Sequence, residues 1–219
     1  MLQALSRLFP VPFKSLAERF DKSPIDSVDD LQRFVRTRSS YIAQTSLHGY
    51  LKTRMGTQFT KYFENDTFSR SIRIAAIKLF ASCTSDLAVF ATALVQEETR
   101  LDPAKSAALS RHLVDTILND HLEPVDFHHL ASDFMHDLDE RLNATIWPNA
   151  AIGEAAFDGS VRDLIRFAPV VDEFKALDEE IVTNSIRFRW LDVKQQLRKR
   201  LHAAEIASDW DATDPQQIC

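Results

Sequence analysis

Five side chains able to ligate a metal or exchange a proton fall at steps of three and four within the run DFHHLASDFMHDLDE, residues 126–140. They are His129, Asp133, His136, Asp137 and Glu140, and a helix would set them along one side. Imidazole and carboxylate at that spacing are a ligand set for a divalent cation. One helix cannot close a tetrahedral site, so His112, Asp115 or His121 of the preceding segment would have to reach across. The same residues also fit the solvated face opposite Phe127, Leu130, Phe134 and Leu138. That second reading is the one adopted here: His129, Asp133, His136 and Glu140 stand as metal candidates only under the alternative, and no metal or cofactor is expected.

A second group is basic: Arg187, Arg189, Lys194, Arg198, Lys199 and Arg200, interleaved with Phe188 and Trp190. Arginine beside aromatic rings suits stacked, charged partners. An acidic run, Asp172, Glu173, Asp178, Glu179 and Glu180, precedes it, and cations toward a helix C-terminus also answer the helix dipole. Trp190, Val193, Leu197 and Leu201 recur at helical steps within this group. Together with Arg189, Lys194 and Arg198 they make the composition of an interface anchor. These seven residues are the expected partner-binding strip, facing a protein partner or a second copy of the chain. A third group, Arg33, Arg36, Arg38, His48, Tyr50, Lys52 and Arg54, is read as a structural network, because buried hydroxyls usually find partners.

What is missing from the sequence narrows its chemistry. There is no G-x-S-x-G elbow, no P-loop, no dinucleotide glycine fingerprint, no H-E-x-x-H and no EF-hand loop. Four glycines in 219 residues leave little for phosphate-cradling loops. Two cysteines, Cys83 and Cys219, cannot build a disulfide framework, and Cys83 sits on an apolar stripe as a small core residue. A net charge of −6 offers no general field for nucleic acid, and none is expected as a partner.

These side chains must be positioned by helices, since the apolar residues repeat at three and four rather than two. Ser27 caps a helix from Val28 to about Met55, with Gly56 as its stop. A short element is expected from Gln58 to Glu64. The most apolar helix follows, about Thr67 to Glu98. Its stretch Ile74 to Val95 is long enough for a bilayer, but Lys78 and Asp86 lie inside it, so it reads as the buried centre of a soluble bundle. Further helices are expected from Pro103 to Leu122 and from Val125 to Trp147, with Pro148 as a stop. A loop over Asn149–Gly159 leads to a short helix from Ser160 to Phe167. A long last helix then runs from Val170 to Ala207. It carries two stripes: Val170, Phe174, Leu177, Ile181 and Phe188, and, displaced from it, Ile186, Trp190, Val193, Leu197, Leu201 and Ala204. One can pack on the core and the other on a partner.

The fold expected is therefore all-α, an irregular bundle of about six or seven helices with a long C-terminal helix. Residues 1–26 form an amphipathic arm, rich in Phe and basic, broken by Pro10 and Pro12. It is read as docked on the body, with a peripheral membrane contact as the second reading. Residues 27–207 form one helical domain and residues 208–219 a flexible acidic tail. The function expected is a non-catalytic protein-interaction module in the cytoplasm: an adaptor, assembly factor or regulatory subunit. The alternative is a helical enzyme or ligand-binding protein with a His/carboxylate site inside the bundle.

Overall fold

The computed structural model describes residues 22–56 and 65–212, without the side chains of residues 124, 125 and 127–132. The arm before residue 22, the element expected over residues 58–64, and residues 213–219 with Cys219 lie outside the described residues. Those described form eight α-helices and no strand beyond one isolated bridge. The helices are α1 (Val28–Met55), α2 (Asp66–Thr99), α3 (Pro103–His121), α4 (Pro124–Ala144), α5 (Trp147–Ile152), α6 (Asp158–Phe167), α7 (Asp172–Arg200) and α8 (Ala203–Ala212).

Local chemistry sets the ends of the first three. The Ser27 hydroxyl accepts the Asp30 amide at 3.2 Å, and Asp29 and Asp30 place negative charge in the first turn of α1. Gly56 ends it at φ 52°, a conformation that costs a side-chain-bearing residue and not glycine. Asn65 caps α2 and Asp102 caps α3, where Pro103 occupies the first turn. Helix α2 is the axis of the molecule. All of its residues from Leu79 to Val95 are buried, and α1, α3, α5, α6 and α8 pack around it. It is also the one described helix long and apolar enough to cross a membrane, but 89% of its most apolar window is enclosed by the chain itself.

Two chain breaks raise the helix number above the expected six or seven. Helix α4 ends at Ala144, and Pro148 does not stop it. Proline favours a first turn, and here it opens α5. The expected loop over Asn149–Gly159 is thus largely helical, running through α5, a 3₁₀ turn at Ala155–Phe157 and the start of α6. Gly153 permits the turn after α5: its φ is 81°, and a Cβ there would lie 2.7 Å from the Phe90 ring.

The second break corrects the C-terminal boundary. Helix α7 stops at Arg200, where the backbone extends and pairs with Ile25. The Ile25 N–H donates to the Arg200 carbonyl and the His202 N–H to the Ile25 carbonyl, both at 2.9 Å. Helix α8 then turns back, so among the described residues the long helix is the penultimate one. Residues 208–212, expected in the flexible tail, belong to α8. Trp210 is buried against the His112 ring, with ring centroids 5.3 Å apart, and Asp209 accepts the Val28 amide at 2.8 Å. Helix α8 therefore caps the start of α1.

A buried polar network ties α2 to α4, α6 and α7. Asp86 is fully buried in the middle of α2. It accepts from Arg141 Nη1 and from the Ser160 amide, both at 2.7 Å. Arg141 also donates to Ser85 Oγ at 2.9 Å and to the Ala156 carbonyl at 2.7 Å. Ser160 Oγ accepts from Trp190 Nε1 at 3.1 Å, and Ser82 pairs with Asp163. Burial pushes the Asp86 carboxyl up, against the opposing pull of Arg141 and Ser160. Gly159 makes room for it, since a Cβ there would lie 2.6 Å from Asp86 Oδ1. This explains an acid in the most apolar helix: a buried charge is tolerated when paired and hydrogen-bonded.

Candidate functional site

The expected partner-binding strip faces inward. Trp190 is 1% exposed, Leu197 0% and Val193 2%, all within the core of this chain. The Trp190 ring packs on Phe157 with centroids 4.5 Å apart. Leu201 is half-buried at the bridge to Ile25. The basic residues of the strip are largely used internally as well. Helix α5 ends with carbonyls that need donors. Arg198 Nη2 reaches Ala151 O at 2.6 Å, and Lys194 Nζ reaches Gly153 O at 3.0 Å. Their cationic groups also lie over the Phe90 and Phe157 rings. Arg200 donates to the Ser23 carbonyl and Arg187 to Asp158. Arg189 differs: among the described residues no hydrogen-bond or ion-pair partner is found for it, and its Nε is buried. The direction of this strip depends on the neighbours α2 and α6, which one helix cannot reveal.

The metal candidates do not converge among the described residues. His136 and Glu140 pair at 3.4 Å on an exposed face, and Asp133 is exposed beside them. The His129 side chain lies outside the described residues. Asp126 pairs with Arg73 and Asp139 with Arg111. His112, required from the neighbouring helix, stacks on Trp210 instead. No group of three potential ligands placed to hold a metal occurs among the described residues.

The other stripe of α7 stays outside. Phe174, Leu177, Ile181, Phe188 and Leu191 are between 46% and 75% exposed, on the side of α7 opposite Val182, Ile186, Trp190 and Val193. With exposed Asn184 they recur at steps of 3, 4, 3, 4 and 3. That is the period of a two-helix seam, with Phe174, Ile181 and Phe188 at one core position of the heptad and Leu177, Asn184 and Leu191 at the other. Glu173, Glu180, Arg187 and Lys194 fall on one flank of this seam.

The opposite flank of α7 borders a cleft of about 360 Å³ against α1, with Leu164 of α6 also lining it. From α1 come Ser46, Gly49, Tyr50, Thr53 and Arg54. From α7 come Asp178, Ile181, Val182, Ser185, Ile186 and Arg189. Arg54 grips Asp178 in a two-pronged ion pair from Nε and Nη2, which holds the carboxyl below its ordinary range. The Tyr50 hydroxyl is buried beside that carboxylate, and burial, then Asp178, push its pKa up to about 12. The third basic group in the sequence thus contains a genuine network, Tyr50–Arg54–Asp178. It was visible on α1 only as isolated polar residues, because its acid comes from α7.

Comparison of the chain with protein-family models, with curated proteins and with solved structures found no match. The geometry of α7 and its two flanks therefore carries the functional reading.

Proposed function

We propose that this chain is a non-catalytic helical interaction module that docks through the exposed seam of α7. The observation that carries this reading is the heptad row Phe174, Leu177, Ile181, Asn184, Phe188 and Leu191, left open to solvent on a helix that packs on the core through Val182, Ile186, Trp190, Val193 and Leu197. Exposed apolar rows of this length mark sites of association. Charge selects the occupant. In a parallel pairing with a second copy, Glu180 would face the partner's Ser185 and find no counter-charge. In an antiparallel pairing the layers are Phe174 with Leu191, Leu177 with Phe188, and Ile181 with Asn184. The flanks then set Glu180 against Arg187, a contact that occurs twice by symmetry. A surface complementary to itself under a two-fold axis is what an isologous dimer requires, and flank charges of this kind set orientation. Asn184 in the seam lowers stability and fixes register. The occupant is therefore a second copy, antiparallel.

Equilibrium sedimentation at roughly micromolar protein tests this. The chain should be a dimer. Leu177→Asp and Ile181→Asp should each be monomeric with an unchanged melting temperature, because both side chains are solvent-exposed in the single chain. Glu180→Arg should weaken the dimer, and adding Arg187→Glu should restore it. A strict monomer, or a dimer indifferent to both seam substitutions, overturns the proposal.

A further inference from the structure

A separate set of observations concerns the cleft between α1 and α7. Polar atoms buried without partners are rare, because each forfeits the hydrogen bonds it made in water. Two such atoms among the described residues, Ser46 Oγ and Arg189 Nε, line this cleft. Ser46 is 5% exposed and its Oγ has no hydrogen-bond partner, while the buried Tyr50 hydroxyl belongs to the network with Asp178 and Arg54. Arg189 lines the same cleft with its Nε buried and no carboxylate in reach. Arg189 is half-buried, and no counter-charge is found for it among the described residues. The only acid lining the cleft, Asp178, is already held by both prongs of Arg54, so the lining carries one cation in excess.

Gly49 adds a further clue. Glycine inside a helix costs about 0.5–1 kcal/mol relative to alanine, yet it stands here in the sixth turn of α1, facing the Arg189 guanidinium. A Cβ there would lie 3.7 Å from Arg189 Nη2, and any larger side chain would fill the space in front of it. The remaining wall, Leu164, Ile181, Val182 and Ile186, is apolar. The volume of about 360 Å³ lies within the range of small-molecule sites.

We infer that this cleft is a binding site for a small carboxylic acid with a compact apolar body. The carboxylate supplies acceptors only, which suits the Arg189 fork and the Ser46 hydroxyl as donors. The body of the acid lies on Leu164, Val182 and Ile186. The donors of this site lie off the seam, and Ile181 is the one residue that borders both.

Isothermal titration of the full chain with octanoate, octanamide and inorganic phosphate tests it. Octanoate should bind saturably at one per chain, octanamide at least about tenfold more weakly, for want of the charge-assisted bonds, and phosphate not at all. Arg189→Gln should weaken octanoate by at least about tenfold without lowering the melting temperature, because Arg189 makes no internal pair. Gly49→Leu should abolish binding by filling the cleft, with helix content and melting temperature checked in parallel. Absence of saturable octanoate binding, equal affinity for the amide, or an Arg189→Gln chain that binds octanoate as tightly as the parent overturns the inference.

Discussion

Replacing Arg141 with methionine isolates the polar network on which the central helix depends. The substitution keeps most of the side-chain volume and removes the guanidinium. Asp86, with its side chain fully buried, then loses its only cationic partner, while Ser85 Oγ and the Ala156 carbonyl lose a donor. Breaking a buried pair from one side costs about 3–5 kcal/mol. Arg141 is itself 28% exposed, so water can enter part of the space it leaves. The expected loss is therefore near the lower end, about 3 kcal/mol. The hydrogen bonds are not added on top, because members of one network are not additive. The sign of the pH dependence follows from the raised Asp86 carboxyl. A carboxyl whose folded pKa lies above 3.8 favours folding when protonated, and that contribution is lost as pH rises through the folded value. Without Arg141 the folded value moves higher. The variant should thus be weakest at neutral pH and recover part of its loss on acidification. Asp86→Asn removes the charge and keeps an acceptor for the Ser160 amide. The double variant should be more stable than Arg141→Met alone by about 1–2 kcal/mol. Urea unfolding followed by circular dichroism at neutral pH and at about pH 5 measures all three. A loss under about 0.5 kcal/mol in Arg141→Met, or no rescue by Asp86→Asn, would show that the pair does not hold the core.

Two further outcomes follow from the packing. Trp190→Ala should cost about 3–5 kcal/mol and leave the oligomeric state unchanged, since the ring fills the space against Phe157 and its Nε1 binds Ser160; thermal melting and sedimentation on the same sample check both halves. Burial lowers the pKa of His112 and of His48, so the unfolded chain takes up protons below 6.5 before the folded chain does. Stability should fall as pH drops below that value, and His112→Gln should flatten part of the slope in denaturant titrations across the range; an unchanged slope would refute the assignment to His112.

The helical nature of the chain was legible because it is a local property. Ser27, Gly56, Asn65 and Pro103 act on their own turns, and each ends or starts a helix where its chemistry requires. The errors came where a residue has two local uses and a distant contact chooses. Pro148 can follow a helix or open one, and the Gly153 turn against Phe90 selects opening. The continuity of residues 170–207 was broken at Leu201 by Ile25, a partner more than 170 positions away, which no periodicity records. Asp86 looked like an interruption of an apolar helix because Arg141 and Ser160 lie on other elements.

Helix α7 carries this argument furthest. Two stripes on it were present in the sequence, but as read there both advanced by threes and fours, and nothing told which faced the core. The row Val182, Ile186, Trp190, Val193 and Leu197 advances mostly by four, drifting around the helix as a surface must when it follows a curved core. The row from Phe174 to Leu191 alternates three and four, which holds a straight seam for one other helix. Anchor composition pointed to the first row, because tryptophan is common both in interiors and in interface anchors. A tryptophan reports only that something large is buried, and the elements that pack on the helix decide whether its own chain or another buries it.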